Sequence, residues 1–258
     1  MRRLDLELTQ RGLARSRQDA KDLIEQGLVK VNGFVAKKAD AQVSESASIT
    51  VSSNSTKYVS RGAHKLLSAL SSTSIDFTDK ICLDAGASTG GFVQVMLDRG
   101  AKLVYAVDVG YGQLAWLLQQ DSRVIRMDRT NVKELTRDML PQVPQIITAD
   151  LSFISLRSVL PALDRVIDPT GEMLLMVKPQ FEVGKEQVGR GVVHDPALRR
   201  DAILSVVDAA RSLGWLVGGA AESEVHGPSG NREFFLHLRR NGAELPWSNI
   251  SGLVTEDL

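Results

Sequence analysis

The sequence contains one cysteine, few aromatic residues, no excess of either charge and no long apolar run. Cys82 has no second cysteine with which to form an internal disulfide, and a metal site built from several cysteines is excluded. Because 31 basic residues balance 31 acidic residues, the overall charge gives no indication of a polyanionic partner. No stretch approaches the ~20 apolar residues that span a bilayer, and the N-terminus is charged where a signal peptide needs an apolar core. We therefore expect a cytoplasmic protein with no membrane span and no requirement for a metal.

The composition is typical of a folded protein with more than one domain. Of the 258 residues, 43% are hydrophobic and 24% are charged, which is the usual balance for a soluble globular chain. Residues 51–56 are rich in serine, threonine and asparagine and have the composition of a linker. This segment predicts a small domain at residues 1–57 and a larger domain at residues 58–258.

The clearest local motif runs from Ile81 to Asp108. Its pattern predicts an apolar strand, a glycine-rich turn, an amphipathic helix and a second strand that ends in a carboxylate, where such folds bind a ribose. The turn is D-x-G-x-x-x-G-G, which differs from the G-x-G-x-x-G of dinucleotide-binding proteins and suits a cofactor without a pyrophosphate. The pattern favours S-adenosylmethionine over NAD, although an ordinary turn without a ligand stays open. The candidate cofactor residues in the motif are Asp84, Gly86, Gly90, Gly91 and Asp108.

Beyond this motif, strand and helix patterns alternate, which predicts a mostly parallel sheet with helices on both faces. We expect helices near residues 114–119, 132–139 and 156–166, and a mobile active-site loop over residues 179–196. The last two strands should pair antiparallel, so the predicted fold class is α/β: a Rossmann-like sheet with one antiparallel edge strand. Charged residues recur at the predicted strand ends, where such sheets bind ligands, namely Asp84, Asp108, Asp128, Asp150 and Lys178.

Two lysines and two carboxylates could catalyse methyl transfer to a ribose hydroxyl. The hydroxyl is a poor nucleophile until a base removes its proton, and a lysine can act as that base only when its amine is uncharged. Burial and a second cation nearby both favour the uncharged amine. Lys178 on an apolar strand, with Lys65 close by, fits this role, and Asp150 and Glu233 would orient the lysines and the hydroxyl. Each residue alone also has a structural interpretation, as a helix cap or a solvent-facing charge.

The N-terminal residues predict a small α+β domain that binds RNA. Ser16 is expected to cap a helix, Asn32-Gly33 predicts a hairpin, and residues 48–51 predict a third strand. Basic residues lie between these elements, and their charges would contact phosphates: Arg15, Arg17, Lys21, Lys30 and Lys37. A solvated basic surface on an oligomerisation domain is the alternative. The stretch LDLELTQRGLARSRQDAKDLIEQGLVKVNGFVAKK resembles the S4-type (alpha-L) RNA-binding domain, whose V-x-V-N-G motif stands here at residues 29–33.

Six motifs in order resemble the TlyA family, also called hemolysin A, whose catalytic domain is of the FtsJ type. They are GAHKL, LDAGASTGGF, AVDVGYGQL, ADLSFISL, VKPQFEVGK and GPSGNREFF. The resemblance implies an S-adenosylmethionine-dependent 2′-O-methyltransferase that acts on cytidine ribose in ribosomal RNA. The catalytic tetrad of the family carries over onto Lys65, Asp150, Lys178 and Glu233. Its cofactor pocket carries over onto Gly86, Ser88, Gly91, Asp108 and Asp128.

Two other functional classes stay open at this stage. One is a membrane-active hemolysin, which the older family name suggests but for which the sequence has no signal peptide, spanning segment or cationic amphipathic helix. The other is an inactive RNA-binding assembly factor. The sequence leaves the target nucleotide, the ribosomal subunit and the oligomeric state undetermined.

Overall fold

The computed structural model describes residues 2–14, 16–25, 27–44, 46–51, 58–184, 186, 188–189, 191–227 and 229–254. The chain divides into two compact units, residues 1–57 and residues 58–258. Three predicted features fall wholly or partly outside the described residues. They are the candidate RNA contact Arg15, the linker at residues 51–56, of which only Val51 is described, and the loop at residues 179–196, of which residues 185, 187 and 190 are not described.

The first unit combines two helices with short antiparallel strands. Its elements are β1 (Arg2–Arg3), α1 (Leu4–Gln10), α2 (Arg17–Glu25), β2 (Val29–Val31), β3 (Phe34–Val35), β4 (Gln42–Val43) and β5 (Ile49–Val51). The Ser16 hydroxyl accepts a hydrogen bond from the Asp19 N–H at 3.1 Å, so the predicted helix cap is confirmed. The predicted hairpin is confirmed as well, since β2 pairs with β3 and both Asn32 and Gly33 have positive φ, at 50° and 86°.

Two acidic residues of α1 are buried beneath arginines. Asp5 accepts hydrogen bonds from Arg3 at 3.0 Å and from Arg17 at 3.2 Å, and Glu7 binds Arg11 at 2.8 Å. The hydrogen bond from Arg3 is the largest influence that lowers the pKa of Asp5, to about 2. Arg17 is thus held by an ion pair within this unit, which the sequence pattern did not indicate.

The second unit is an α/β domain. Its helices are α3 (Gly62–Leu70), α4 (Gly91–Asp98), α5 (Trp116–Gln119), α6 (Leu156–Val166), α7 (Pro179–Glu182), α8 (Pro196–Ser212) and α9 (Trp247–Ser251). Its strands are β6 (Ile81–Ala85), β7 (Leu103–Val107), β8 (Val124–Met127), β9 (Ile146–Ala149), β10 (Glu172–Val177), β11 (Leu216–Glu222) and β12 (Phe234–Arg239). Among the residues described here, no helix has the length and apolarity needed to cross a membrane.

In the described part of this unit, the strands form one seven-stranded sheet in the order β11-β12-β10-β9-β6-β7-β8. The pairs among β10, β9, β6, β7 and β8 are parallel, which confirms the predicted α/β fold. Strand β12 is antiparallel to both β10 and β11. The antiparallel strand therefore lies one place in from the edge, and the edge strand β11 runs in the common direction.

The sheet is covered on both faces, as the alternation of strands and helices predicts. On one face Leu83 of β6 and Tyr105 of β7 belong to a buried cluster with Leu163 of α6 and Val206 of α8. The opposite face carries a second buried cluster, to which α3 and α4 contribute. Side chains that alternate along one strand enter different clusters, because successive residues of a strand point to opposite faces.

Two expectations about segments of this unit were wrong. Residues 132–139 form two short 3-10 turns, Val132–Glu134 and Arg137–Met139, and not one helix. The segment 179–196 is not structureless at its start, since α7 directly follows β10 and Glu182 at its end is buried. By contrast, the helix expected over residues 156–166 is present with those bounds.

Candidate active site

The charged residues predicted at strand ends lie along one edge of the sheet. Lys178 follows β10, Asp150 follows β9, Asp84 is the penultimate residue of β6, and Asp108 and Asp128 follow β7 and β8. Because these five strands are parallel neighbours, their carboxyl ends meet on the same side of the domain. The structure therefore places the five predicted residues at one edge.

Glycines let the backbone after β6 turn closely past its neighbours. Gly86 has φ +88°, and a Cβ there would lie 2.6 Å from the carbonyl oxygen of Asp150. Gly90 has φ +96°, and a Cβ there would lie 2.7 Å from a methyl carbon of Leu114. At Gly91 a Cβ would lie 2.7 Å from the backbone nitrogen of Ala63. Each position therefore excludes a larger residue.

The carboxylates after β7 and β8 bind the loops around them. Asp108 accepts hydrogen bonds from the N–H of Ser88 at 2.8 Å and from the N–H of Gly110 at 2.7 Å. Asp128 accepts one from the N–H of Gly112 at 3.2 Å. A carboxylate oxygen can accept more than one hydrogen bond, so Asp108 keeps capacity for a ligand hydroxyl.

A cavity of about 450 Å³ opens at this edge, which is within the usual size for a nucleoside-sized ligand. Four predicted site residues line it: Gly86, Ser88, Asp108 and Asp150. The remaining lining residues were not predicted, and they are Val109, Gln113, Asn131, Val132, Leu151, Ser152, Phe153, Ile154 and Val159. Within the described residues, the predicted cofactor residues Asp84, Gly90, Gly91 and Asp128 are not part of this lining.

Asp84 is a buried carboxylate beneath the glycine turn. Its Oδ1 accepts a hydrogen bond from the Thr148 hydroxyl at 2.7 Å, while Oδ2 has no hydrogen-bond partner among the described residues. Burial is the main reason that the pKa of Asp84 rises to about 7, and the nearby charges of Asp150 and Asp108 add to the rise. Asp84 thus adds negative potential below the turn when it ionises.

The four predicted catalytic residues form two ion pairs. Lys65 Nζ lies 2.6 Å from Glu233 Oε2, and both side chains are buried. Lys178 Nζ lies 2.6 Å from Asp150 Oδ1 and donates a hydrogen bond to Ser152 Oγ at 3.1 Å.

The sheet register makes these two ion pairs neighbours. Val177 of β10 is paired with Phe234 of β12, so Lys178 and Glu233 are the next residues at the same edge. The arrangement offers two ammonium groups and two carboxylates beside the cavity.

Phe153 is a residue of the site that the sequence pattern did not reveal. Its side chain is 92% exposed, its backbone has φ +64°, and its ring lies 5.3 Å from the ring of Phe181. Positive φ is rare for a bulky residue and costs free energy, and an exposed aromatic ring gains nothing from burial. Its position three residues after the candidate site residue Asp150 was the only signal in the sequence.

The first unit has a separate basic cavity of about 410 Å³. It is lined by Arg3, Lys21, Ile24, Glu25, Lys37, Lys38, Ala39 and Asp40. Two of the predicted RNA contacts, Lys21 and Lys37, therefore lie together. Lys30 is exposed on β2, away from this lining, and Arg17 is bound to Asp5.

Comparison with known families matches both units. The model of the FtsJ-like methyltransferases matches residues 58–240, and the model of the S4 domain matches residues 2–49. The 16S/23S rRNA (cytidine-2′-O)-methyltransferase TlyA of Mycobacterium tuberculosis is 52% identical over 239 residues, which cover 92% of this chain and 89% of that protein. Hemolysin A of Brachyspira hyodysenteriae is 35% identical, over 92% of this chain and 99% of that protein.

A solved structure has the same fold over nearly the whole chain. It is described as a candidate hemolysin from Streptococcus thermophilus and is 37% identical in sequence. The TM-score is 0.79, with 98% of this chain and 94% of that chain covered.

Proposed function

The chain belongs to the TlyA family of FtsJ-like methyltransferases, and we propose that it transfers a methyl group from S-adenosylmethionine to the 2′-hydroxyl of a cytidine ribose in ribosomal RNA. The observation that carries the proposal is the pair of ion pairs, Lys178–Asp150 and Lys65–Glu233, beside a nucleoside-sized cavity. The M. tuberculosis relative is named for cytidine 2′-O-methylation of 16S and 23S rRNA. Such an enzyme would act on ribosomes in the cytoplasm.

The cavity fits S-adenosylmethionine in size and in charge. Asp108 and Asp150 place carboxylates along its wall, which suits a cofactor that carries positive charge. Gly86 lets the turn pass close to the backbone of Asp150 at the wall of the cavity, and the N–H of Ser88 donates a hydrogen bond to Asp108. We propose that these residues hold the cofactor, with Asp108 on the ribose hydroxyls. The bound cofactor supplies a methyl group on a sulfonium, which is already electrophilic.

Lys178 is the proposed base of the reaction. With its amine uncharged, Lys178 Nζ would accept the proton of the 2′-hydroxyl, and the bound cofactor would supply the methyl group and leave as a neutral thioether. Asp150, 2.6 Å away, then stabilises the ammonium that forms. Ser152 fixes the direction of the lysine through a hydrogen bond at 3.1 Å. These contacts orient the base as a carboxylate orients histidine in a hydrolase triad.

The second ion pair and the exposed ring would position the RNA. The buried pair Lys65–Glu233 stands at the adjacent register position and can hydrogen-bond the ribose from the opposite side. Phe153 offers an exposed aromatic face at the cavity, and unstacked RNA bases bind such faces by stacking. In the first unit, Lys21 and Lys37 line a basic cavity that suits the RNA backbone.

The test is transfer of labelled methyl from S-adenosylmethionine to isolated small and large ribosomal subunits that lack the modification. The Lys178→Ala variant should lose turnover, while its cofactor affinity stays within a few fold because the base acts only in the transition state. Lys102→Ala is the matched control, since Lys102 is an exposed lysine just before β7, at the opposite edge of the sheet.

The mapped nucleotide decides between the candidate functions. Label that makes one cytidine resistant to alkaline cleavage establishes ribose methylation and identifies the subunit. RNA binding with no label on either subunit would instead support the inactive assembly factor. Lysis of lipid vesicles by the purified protein would support the membrane activity that the name of the B. hyodysenteriae relative suggests.

A further inference from the structure

Two segments at the active site run side by side and contact each other in sequence order. The first follows β9 and comprises residues 150–156, and the second follows β10 and comprises residues 178–182. Asp150 binds Lys178 at 2.6 Å, and the rings of Phe153 and Phe181 are 5.3 Å apart. At the far end, Glu182 accepts hydrogen bonds from the Ser155 hydroxyl at 2.5 Å and from the Leu156 N–H at 2.6 Å.

Side chains alone hold the middle of the first segment. In the part of the chain that the structure describes, the N–H groups of residues 151–155 donate no hydrogen bond to another backbone group. Asp150 at one end is fixed independently, because its N–H donates to the Ala85 carbonyl at 3.0 Å and its carboxylate binds Lys178. The other end depends on Glu182.

Glu182 is built into this position by several contacts. The residue is 6% exposed, and its two carboxylate oxygens accept from different donors on the N-terminus of α6. Arg157 adds a hydrogen bond from Nη2 to the Glu182 carbonyl at 2.9 Å, so the same helix turn binds the backbone as well. A carboxylate at a helix N-terminus is favoured by the free N–H groups and the helix dipole.

The anchored segment carries a strained residue of the site. Phe153 lies between the two anchors, with φ +64° and a ring that is 92% exposed. A left-handed phenylalanine with an exposed ring persists only where the surroundings impose it. Its ring packs against the ring of Phe181, which is directly followed by Glu182. The side of the cavity formed by residues 151–154 therefore takes its shape from the anchor at residue 182.

We propose that Glu182 is a positioning residue, whose buried carboxylate holds the N-terminus of α6 and thereby fixes Phe153 at the mouth of the cavity. The effect of this anchor on methyl transfer rests on the proposed function, whereas its effect on the conformation of residues 150–156 does not. The residue touches neither of the two ion pairs of the site and acts through Ser155, Leu156 and Arg157, whose Nε lies 3.3 Å from Glu182 Oε2. Burial raises the pKa of the Glu182 carboxyl, so its ionised form costs free energy in this position. The hydrogen bonds that the carboxylate accepts hold the segment before α6 in place.

Hydrogen–deuterium exchange tests the anchor without any assumption about activity. In Glu182→Gln the amide nitrogen cannot accept a hydrogen bond, so the two donors that bind separate carboxylate oxygens are left with one acceptor oxygen, and the charge that faces Arg157 is lost. Exchange of the Leu156 and Arg157 N–H groups, which donate to Glu182 Oε1 and Ser155 Oγ, should become at least about 10-fold faster, while that of β7 and α4 stays unchanged. The matched control is Asp164→Asn, which alters a partly buried carboxylate of α6 that accepts from the Trp215 indole at 2.9 Å. The control should leave exchange at residues 151–157 unchanged.

Three results would overturn the anchor. The first is unchanged exchange of the Leu156 and Arg157 N–H groups in Glu182→Gln. The second is an increase spread evenly over the whole second unit, which would indicate a general loss of stability. The third is an equal rise in Asp164→Asn, because the effect would then not depend on the N-terminus of α6.

A double-mutant cycle with Phe153→Ala, read out as turnover, distinguishes a positioning role of Glu182 from a merely structural one. In the wild-type background Glu182→Gln should lower turnover about 10- to 100-fold, as a small displacement of a positioned group does. In the Phe153→Ala background the same change should cost less than about threefold, since the group that it positions is already gone. Equal losses in both backgrounds would refute the proposal. If the wild-type protein methylates no ribosomal RNA, the proposed function fails, while hydrogen exchange still decides whether Glu182 anchors the segment.

Discussion

Lys65 Nζ lies 2.6 Å from Glu233 Oε2, although the two residues are 168 positions apart in the sequence. The side chains are 7% and 1% exposed, so the pair is almost wholly withdrawn from water. It joins α3, at the start of the second unit, to the residue that directly precedes the antiparallel strand β12. A buried charge that loses its partner keeps its desolvation cost, which makes this contact sensitive to single substitutions.

Glu233→Gln should destabilise the second unit by about 3 kcal/mol, because Lys65 then stays buried without a countercharge. Chemical denaturation gives the free energy of unfolding. The double variant Lys65→Met with Glu233→Leu should recover most of the stability, since both charges are removed, yet it should transfer no methyl group. A double variant as active as the wild type would show that the pair is structural only.

The exposed pair Arg211–Glu244 provides the comparison for this prediction. Its side chains are 39% and 32% exposed, and the nitrogen–oxygen distance is 2.8 Å. Glu244→Gln should therefore cost less than about 1 kcal/mol, because water screens the pair. If Glu233→Gln cost no more than Glu244→Gln, burial of the Lys65 pair would not be what makes it sensitive.

The buried carboxyl of Asp84 should make stability depend on pH. Its pKa is about 7 in the folded protein, against about 4 for a free carboxyl. As pH rises, Asp84 therefore loses its proton at a lower pH in the unfolded chain than in the folded protein. Its contribution to the free energy of unfolding falls as pH rises from about 4 to about 7. Asp84→Asn keeps an oxygen for the Thr148 hydroxyl and removes this dependence. The free energy of unfolding of the variant, relative to that of the wild type, should rise by on the order of 3 kcal/mol between pH 4 and pH 8.

Unfolding free energies of both proteins at pH 4, 5, 6, 7 and 8 would measure this difference. Other titrating groups largely cancel when the variant is compared with the wild type at each pH. A stability difference that is the same at every pH would show that Asp84 ionises normally.

Gly86→Ala should abolish cofactor binding. The added methyl group would lie 2.6 Å from the Asp150 carbonyl oxygen, so the wall of the cavity must move in addition to the strain of φ +88°. Gly230→Ala is the matched control, since Gly230 has φ +89° but open space around the position of a Cβ. That variant should show only the backbone cost of about 1 kcal/mol. Isothermal titration with S-adenosylmethionine separates the two, and equal affinity in both variants would remove Gly86 from the cofactor site.

Lys21→Ala combined with Lys37→Ala should weaken RNA binding in a salt-dependent manner. Each lost phosphate contact lowers the magnitude of the slope of log affinity against log salt concentration by about 0.7 for single-stranded RNA. The slope of the double variant should therefore be smaller in magnitude by about 1 to 1.5. Fluorescence anisotropy with a ribosomal RNA fragment at several salt concentrations measures the slope. Arg99→Ala, an exposed residue just after α4, should leave the slope unchanged. An unaltered slope in the double variant would exclude the basic cavity from RNA binding.

Elements with strong local signals could be predicted from the sequence. The hairpin at Asn32-Gly33 follows from the positive φ that these residues tolerate, and α6 follows from its apolar period. The charged residues after β7, β8, β9 and β10 could also be placed, because parallel strands that alternate with helices must end at one edge.

The sequence pattern was a weaker guide in segments whose conformation depends on contacts with other parts of the folded chain. Residues 132–139 have an apolar pattern but form 3-10 turns, and α7 replaces the start of a predicted loop. No pattern in the sequence marks Asp5 and Glu182 as buried, because their partners lie on other elements or are recognisable only in the folded chain.

The amino-acid order thus determines which groups reach the carboxyl edge of the sheet, since strand periodicity and the parallel rule are local properties. It does not determine which lysine pairs with which carboxylate. That choice follows from the position of β12 between β10 and β11, which sets Glu233 beside Lys178 and within reach of Lys65. Long-range strand order depends on the packing of the whole domain, and no segment of the sequence encodes it alone.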